Sequence, residues 1–462
     1  MKRFNIILLM LIALLFCGIP SYAIKETSIK EDGWNKLSNG KWQYVENGVT
    51  ATGWRNDIPG WDGWFYFDPS DSTMVTGWKT DIEGWKNKWF YFDVNTGLLA
   101  QGWRNNIPGW DGWFYFNPSD STMVTGWKSD IESWRNKWFY FDVNTGLMAQ
   151  NWENNILGWE GKWFNFDSIT GVMKRGWQMN IPGWGGQRFY FDRTTGVMYV
   201  GERVVDGENF VFDSNGVCNN AQERDFIIVL DPGHGADYDG TKYTYDGVLV
   251  KEKDLNMKIS IALRDILQRY KTPDGRNVKV YLTHEIGPSG EETDIDIHDR
   301  VKMAKDLDAQ LLFSIHCNAS SDSSRAYNGS MVLLTSSSYV NPNSRFDEMY
   351  YAQDNLAEYV LDKMKDIGLA VSKDPIDPST TKNENGFLRR VSDNGSVYPN
   401  GDLCDWYGIV MFGMEYGIPS IIVEHAYVDN EQDYYNYLST DEKLESLAEA
   451  DAKALIDYYG LI

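Results

Sequence analysis

Cysteine is scarce in this chain, with four in 462 residues, and Cys17 falls in a leader-like segment. The other three, Cys218, Cys317 and Cys404, are widely scattered, which excludes a disulfide framework and any C-x-x-C metal cluster. Cys317 reads as a small buried apolar residue. Basic charge is also short. Lys and Arg number 43 against 66 Asp and Glu, a formal net charge of −23, which argues against nucleic acid or anionic lipid as a direct partner. Beyond Phe16 no apolar run is long enough to span a bilayer. The first 23 residues read as a secretory signal: Lys2 and Arg3, an apolar run from Ile6 to Phe16, helix-breaking Gly18 and Pro20, and small residues around Ala23 for cleavage. Phe16 is too bulky to make Cys17 a good lipidation site. The length suggests two or three domains.

What the chain has in excess is tryptophan, and it is unevenly placed: nineteen of twenty lie between Trp34 and Trp184. The cause is an internal repeat. Trp54, Trp78, Trp103, Trp127, Trp152 and Trp177 recur every 24 or 25 residues, and all but Trp152 follow a glycine. Between them run aromatic tetrads beginning at Trp64, Trp89, Trp113, Trp138 and Trp163. Residues 53–101 and 102–150 are near copies, and Gly201 with Phe210 to Phe212 reads as a degenerate final copy, a cap. Each unit is too short to bury a core alone. It reads as a β-hairpin, and stacked hairpins form an elongated all-β solenoid. Most rings then make the core, while some tryptophans sit at junctions between hairpins. Clustered aromatic faces suit a quaternary ammonium group through cation–π attraction.

The Gly-Trp … Trp-Phe-Tyr-Phe … Thr-Gly-Leu-Met pattern, over roughly residues 33–217, resembles the cell-wall-binding repeats of Gram-positive surface proteins, including the choline-binding type. That resemblance implies a wall-binding role. Choline or a similar cationic wall group is the expected ligand, consistent with the acidity of the chain. Carbohydrate stacked on tryptophan is the alternative.

Residues 221–462 change character, with apolar strands alternating with amphipathic helices. Strands are expected at Phe226–Leu230, Val278–Leu282, Leu311–Ile315, Met331–Thr335 and Ser420–Val423. Helices are expected from Asp254, where Leu255, Ile259, Ala262 and Ile266 recur at helical spacing, and at Val301–Leu307, Asp347–Ile367 and Glu442–Tyr459. The fold class is therefore an α/β catalytic domain, a mostly parallel sheet with helices on both faces, preceded by the all-β hairpin-repeat solenoid. The boundaries are residues 1–23 for the signal, 24–220 for the repeats and 221–462 for the catalytic domain.

Four short stretches in this half carry chemistry: Leu230 to Gly235, Lys251 to Asn256, Ser314 to Ala319 and Ile422 to His425. Each supplies one metal-capable or proton-handling side chain, His234, Glu252, His316 and Glu424. In an open α/β sheet the carboxyl ends of parallel strands converge on one crevice, so residues distant in sequence meet. Two imidazoles and a carboxylate suit Zn²⁺ and leave a position open for water. A further glutamate beside that water can take its proton. This is the outline of a metallohydrolase.

In four motifs and their order the segment resembles zinc-dependent N-acetylmuramoyl-L-alanine amidases of the type-3 family: a strand ending in Asp231-Pro-Gly-His-Gly235, a Glu-Lys-Asp turn at Glu252, Ser-Ile-His-Cys-Asn-Ala around His316, and an Ile-Pro-Ser strand leading to Glu424. The resemblance implies His234, Glu252 and His316 as zinc ligands and Glu424 as the catalytic base. It further implies cleavage of the amide between N-acetylmuramic acid and L-alanine of peptidoglycan by a secreted enzyme held at the cell wall. Ligand spacing alone equally permits a zinc peptidase acting on stem peptides. A non-catalytic wall-binding protein is the remaining alternative, against which the intact four-residue set argues.

The chain departs from that family at Ala236, where the family has glycine, and after Glu424, where it has His425-Ala-Tyr-Val-Asp-Asn430. A strand neighbour of Glu424 points to the opposite side, which disfavours proton transfer by His425. His284 and His298 read as surface residues. The polar segment Asp374–Asp405 reads either as an insertion beside the substrate groove, with Arg389 or Arg390 meeting substrate carboxylates, or as a solvated loop.

Overall fold

A computed structural model describes residues 31–462 apart from 180, 221–223, 237, 286–294, 321–325, 347–348 and 377–380. The signal-peptide expectation lies outside the described residues. By contacts the chain divides into two compact units, Met1–Val124 and Thr125–Ile462.

In the first unit the Gly-Trp strand of each repeat pairs antiparallel with the following aromatic run, Gly53 opposite Phe67 and Trp54 opposite Tyr66, and Gly77 opposite Phe92. The glycine is required by the backbone: Gly53, Gly77 and Gly102 have φ of 69°, 76° and 66°, a left-handed conformation that side chains disfavour. In the second unit Asn151 occupies the equivalent place before Trp152 at φ 62°, and asparagine is among the few residues that tolerate it. Within each aromatic run the phenylalanines are fully buried, whereas the leading Trp64, Trp89, Trp138 and Trp163 remain 39–46% exposed. The core reading thus holds for Phe and Tyr, and the leading tryptophans keep a face to solvent. Trp54 packs on Phe90 and Phe92 of the next hairpin at 5.6 and 5.9 Å, as Trp127 packs on Phe164 and Phe166 in the second unit. One hairpin completes the core of its neighbour, as a repeat array requires.

The second unit continues through four more hairpins, ending with Gly201–Val205 and Glu208–Phe212, and then forms a layered α/β body. Its strands are β1 (Phe226–Pro232), β2 (Val278–Leu282), β3 (Leu311–Asn318), β4 (Met331–Leu334), β5 (Thr381–Glu384), β6 (Phe387–Arg390) and β7 (Ser420–Tyr427). They lie in the order β2-β1-β3-β7-β4-β6-β5. All neighbours are parallel except β4 with β7 and β5 with β6. The apolar runs of β1 and β3 are buried on both faces, which is why they read as continuous rather than alternating. Ile228, Leu230, Phe313 and Ile315 face α1 (Glu252–Leu267), α3 (Met349–Asp366) and α5 (Asp441–Tyr459). Ile227, Val229 and Leu312 face α2 (Ile297–Asp306) and α4 (Gly408–Tyr416). Helix α1 turns Leu255, Ile259, Leu263 and Leu267 to the core, a strict four-residue stripe; Ala262 and Ile266 flank it.

The polar segment from Asp374 holds strands β5 and β6, which extend the sheet; it is not a solvated loop throughout.

The last hairpins are bolted to this body. Arg193, only 7% exposed in its side chain, holds Asp206 with both terminal nitrogens, donates to the Tyr458 carbonyl and lies 3.6 Å from the Tyr458 ring centroid. Arg276 grips Glu208 through two 2.8 Å bonds, and Arg175 reaches Glu358 at 3.2 Å.

Candidate metal centre

The chain leaves β1 at Pro232 and turns through Gly233 and His234. His234 adopts φ 68°, a conformation that costs a non-glycine residue roughly 1–2 kcal/mol and must be held from outside. Arg300 of α2 does so. Its guanidinium donates to the carbonyls of His234 at 2.6 Å and Pro232 at 2.9 Å, and to Asp231 Oδ1 at 2.9 Å. Asp231 also accepts from the hydroxyls of Thr283 and Ser314 at 2.7 Å each. This buried support was not foreseen from the sequence, because an arginine buried in an amphipathic helix reads like an exposed one.

Glu252 opens α1, where the positive end of the helix favours a carboxylate. Its Oε2 accepts from Thr241 N at 2.8 Å. Its Oε1 lies 2.9 Å from His234 Nε2 and 3.0 Å from His316 Nδ1. The potential ligand atoms of His234, Glu252 and His316 all lie within 4.8 Å of one another. Burial opposes the Glu252 charge, but hydrogen bonds from His234 and His316 outweigh it and hold the group well below the usual carboxylate range. For His316 burial likewise opposes the charge. The Glu252 hydrogen bond, then the charges of Glu424 and Glu252, overcome it and raise the ring to about 9.

Glu424 stands beside this cluster as the register partner of His316 across the β3/β7 ladder. Both residues lie within their strands, which run to Asn318 and Tyr427, rather than just after them as expected. Glu424 is half-buried, and its Oε2 is a buried atom with no hydrogen-bond partner among the described residues. Burial pushes its carboxyl well above the usual range; His316 opposes the shift and the Glu252 charge adds to it.

The sheet sends the neighbouring side chains elsewhere. His425 is fully buried with its ring directed to Asp451, and Cys317 is buried in the core on the α1 side. His298, at the start of α2, is half-exposed, with its Nε2 hydrogen-bonded to the Tyr416 hydroxyl. His284, expected at the surface, is instead buried, its Nδ1 3.3 Å from Thr283 Oγ1. It follows the edge strand β2 and fills the space left by Gly235, where a Cβ would come within 3.0 Å of its Nε2. Arg389 is engaged with Asp354 and the Thr335 carbonyl, and Arg390 lies 4.0 Å from the Trp406 ring centroid.

The residues fit a metal on three counts. The donor set is the mixed nitrogen and oxygen set that zinc accepts. Glu424 brings a buried, unpartnered oxygen to the same place. The turns around the cluster have no room for a side chain: a Cβ at Gly233 would strike the His316 ring, and one at Gly240 would come 2.5 Å from His234 Cδ2 and 2.6 Å from Glu252 Oε2.

Comparison with known proteins gives a match of residues 228–457 to the family model described as N-acetylmuramoyl-L-alanine amidase. Among curated proteins the chain is similar to the N-acetylmuramoyl-L-alanine amidase AmiC of Escherichia coli, 34% identical over 115 residues, 25% of this chain and 24% of that protein. It is also similar to the germination-specific N-acetylmuramoyl-L-alanine amidase of Bacillus subtilis, 26% identical over 148 residues, 30% of this chain and 52% of that protein. The chain thus spans about a quarter and about half of the lengths of these two relatives. Among solved structures, choline binding protein F from Streptococcus pneumoniae aligns at a TM-score of 0.32 and 28% identity, over 41% of this chain and 58% of that chain.

Proposed function

Because residues 228–457 belong to the N-acetylmuramoyl-L-alanine amidase family, we propose that the protein is a zinc-dependent peptidoglycan hydrolase. It cleaves the amide between the lactyl group of N-acetylmuramic acid and L-alanine of the stem peptide. The observation that carries this reading is the convergence of His234, Glu252 and His316 within 4.8 Å beside the unpartnered oxygen of Glu424. His234, Glu252 and His316 hold the metal. Bound Zn²⁺ supplies Lewis-acid polarisation of the scissile carbonyl and acidifies water. Glu424, whose buried carboxyl holds a proton more tightly than an ordinary one, accepts the proton of the attacking water and returns it to the departing amine. Arg300 and Asp231 keep His234 in its left-handed conformation throughout.

The same proposal assigns residues 1–23 to export, 24–220 to wall binding and 221–462 to catalysis. The repeats hold the enzyme at an insoluble substrate through choline or a similar quaternary ammonium group. Support comes from a cavity of about 260 Å³ lined by Trp34, Trp42, Trp61 and Met74, whose indoles meet edge-on at 6.4–6.5 Å. Lys36 Nζ already lies 5.6 Å from the Trp42 ring centroid, so this wall accepts a cation.

The test is digestion of purified wall followed by analysis of the new ends. Free muramoyl lactyl carboxyls with new N-terminal alanine are expected; new ends elsewhere in the stem peptide identify a peptidase instead. Glu424→Ala should abolish lysis and leave wall binding intact, and unchanged lysis overturns the assignment. Free choline should elute the protein from a choline-type resin, whereas elution only by glycan points to carbohydrate.

A further inference from the structure

The β3/β7 ladder is regular from Leu312 opposite Ser420 to His316 opposite Glu424, and then shifts. The next partners are Asn318 and Tyr427, so β7 advances three residues where β3 advances two. This is a β-bulge at His425 and Ala426, immediately after Glu424, and a bulge interrupts the ladder and re-aims the side chains around it. At the interruption the carbonyl of His316 accepts a hydrogen bond from His425 Nδ1 at 3.0 Å. The other ring nitrogen, Nε2, lies 2.7 Å from Asp451 Oδ2 on α5. His425 and Asp451 are both 0% exposed in their side chains, and the core around them is apolar, with Ala426, Val428, Leu447 and Ala448.

The geometry constrains the ring completely. A backbone carbonyl can only accept, so Nδ1 carries a proton. A second proton lies between Nε2 and the carboxylate, whichever atom owns it. The imidazole is thus pinned at both ends, one end on a residue of the candidate metal cluster and the other on a helix packed against the sheet.

We propose that the His425–Asp451 pair is a positioning device for the metal site: it locks the bulge and with it the relative aim of His316 and Glu424. The inference rests on the amidase reading for the roles of those two residues. Its force comes from strand geometry. Side chains alternate faces along a strand, so a bulge that slips by one residue moves Glu424 from the site to the opposite face. A plain backbone ladder does not distinguish the two placements; a buried imidazole fixed to both the His316 carbonyl and Asp451 does. His425 acts from the far side of the sheet and transfers no proton to substrate.

The test compares His425→Leu with Asp451→Leu in one double variant, and His425→Asn with Asp451→Leu in another. The first replaces a buried ion pair by apolar groups, an exchange that folds well in many proteins because no charge is left unpaired. The second restores an amide N–H where Nδ1 stood. Each full-length variant is assayed for cooperative melting, zinc affinity by competition with a chromophoric chelator, and kcat and KM on muropeptide. The leucine pair should melt cooperatively, bind zinc 10- to 100-fold more weakly, as for loss of outer support to a metal ligand, and lose kcat with little change in KM. The asparagine variant should regain most of both losses. Wild-type zinc affinity and kcat in the leucine pair overturn the proposal while the amidase reading stands. If the leucine pair does not fold, the asparagine variant decides: zinc affinity still reduced by the same factor in a folded protein overturns it. A wild-type protein that binds zinc and cleaves no amide overturns the amidase reading instead.

Discussion

The closest packing at the site is between Gly233 and the His316 ring, and a single methyl group tests it. Gly233 has no left-handed φ, so alanine meets no left-handed strain there. A Cβ at that position would nevertheless fall against His316 Cε1 and Nε2 and only 2.6 Å from Cδ2. The backbone cannot move aside, because Gly233 N donates to the Ile315 carbonyl at 2.8 Å and Gly233 O accepts from Asn256 Nδ2 at 3.2 Å. The ring must therefore rotate, and its 3.0 Å bond to Glu252 is lost. A hydrogen bond to a charged group contributes roughly 1.5–3 kcal/mol, and overpacking a well-filled interior costs roughly 1–3 kcal/mol. Gly233→Ala should thus lower stability by about 2.5–6 kcal/mol, a fall in melting temperature of roughly 5–12 °C at the ~2 °C per kcal/mol of a large domain. Displacing a donor should weaken zinc binding by more than the ~10–100-fold seen for outer support residues. Differential scanning calorimetry and chelator competition read the two effects. A variant that melts with wild type and holds zinc equally well refutes the placement of the ring, and with it the donor cluster.

Further outcomes follow from the same geometry. Because burial raises the Glu424 carboxyl and a base must be ionised to accept a proton, kcat/KM should fall as pH drops through a value above the usual carboxylate range; an acid limb at the ordinary glutamate value contradicts this. Arg193→Ala leaves Asp206 without its partner in a largely buried joint and should destabilise the second unit by roughly 3–5 kcal/mol; a loss below about 1 kcal/mol in urea titration shows that the joint contributes little. Trp61→Ala opens one wall of the aromatic cavity and should lower the free choline needed for elution, since a cation–π contact is worth roughly 0.5–2 kcal/mol; unchanged elution places the ligand elsewhere.

The strands that deliver the site were legible because buried parallel strands are unbroken apolar runs, and His234, His316 and Glu424 sit at or near their carboxyl ends, whereas Glu252 opens α1. The extent of β3 and β7 was not. His316 to Asn318 and Glu424 to Tyr427 include polar residues that look like loop, but they remain strand because the polar groups find partners there: Glu252 for His316 and Asp451 for His425. Helix α4 was hidden by its own glycines. Gly408 and Gly413 lower helix propensity, yet a Cβ on Gly413 would strike Ser420 and one on Gly408 would come 2.9 Å from Ile297, so close packing selects them. Strand β5, Thr381 to Glu384, lies at the sheet edge with polar side chains, of which Lys382 and Glu384 are exposed, and carries none of the apolar signal of an interior strand. The Asp231–Arg300 pair lacked any signal, since two residues 69 apart meet only through the parallel pairing of β1 and β3 and the packing of α2 beside them.

Under the proposed function, the structure also changes what anchoring means for the second unit. A flexible linker would set the local concentration of the site by its length. Helix α5 leaves no such freedom in the second unit. Leu447, Ala448 and Leu455 pack it into the core, Asp451 reaches the ring that braces the His316 carbonyl, and its last turn supplies the Tyr458 ring and carbonyl to Arg193 of the repeats. A Cβ at Gly460, just past its end, would meet Trp177 Cβ at 2.5 Å. Any ligand held on the hairpins from Gly126 onward therefore stands at a fixed distance and orientation from Glu424. Under the proposed function, hydrolysis of a solid wall is then limited to the bonds that this fixed geometry presents, and selectivity along the wall polymer becomes a property of the joint as much as of the metal site.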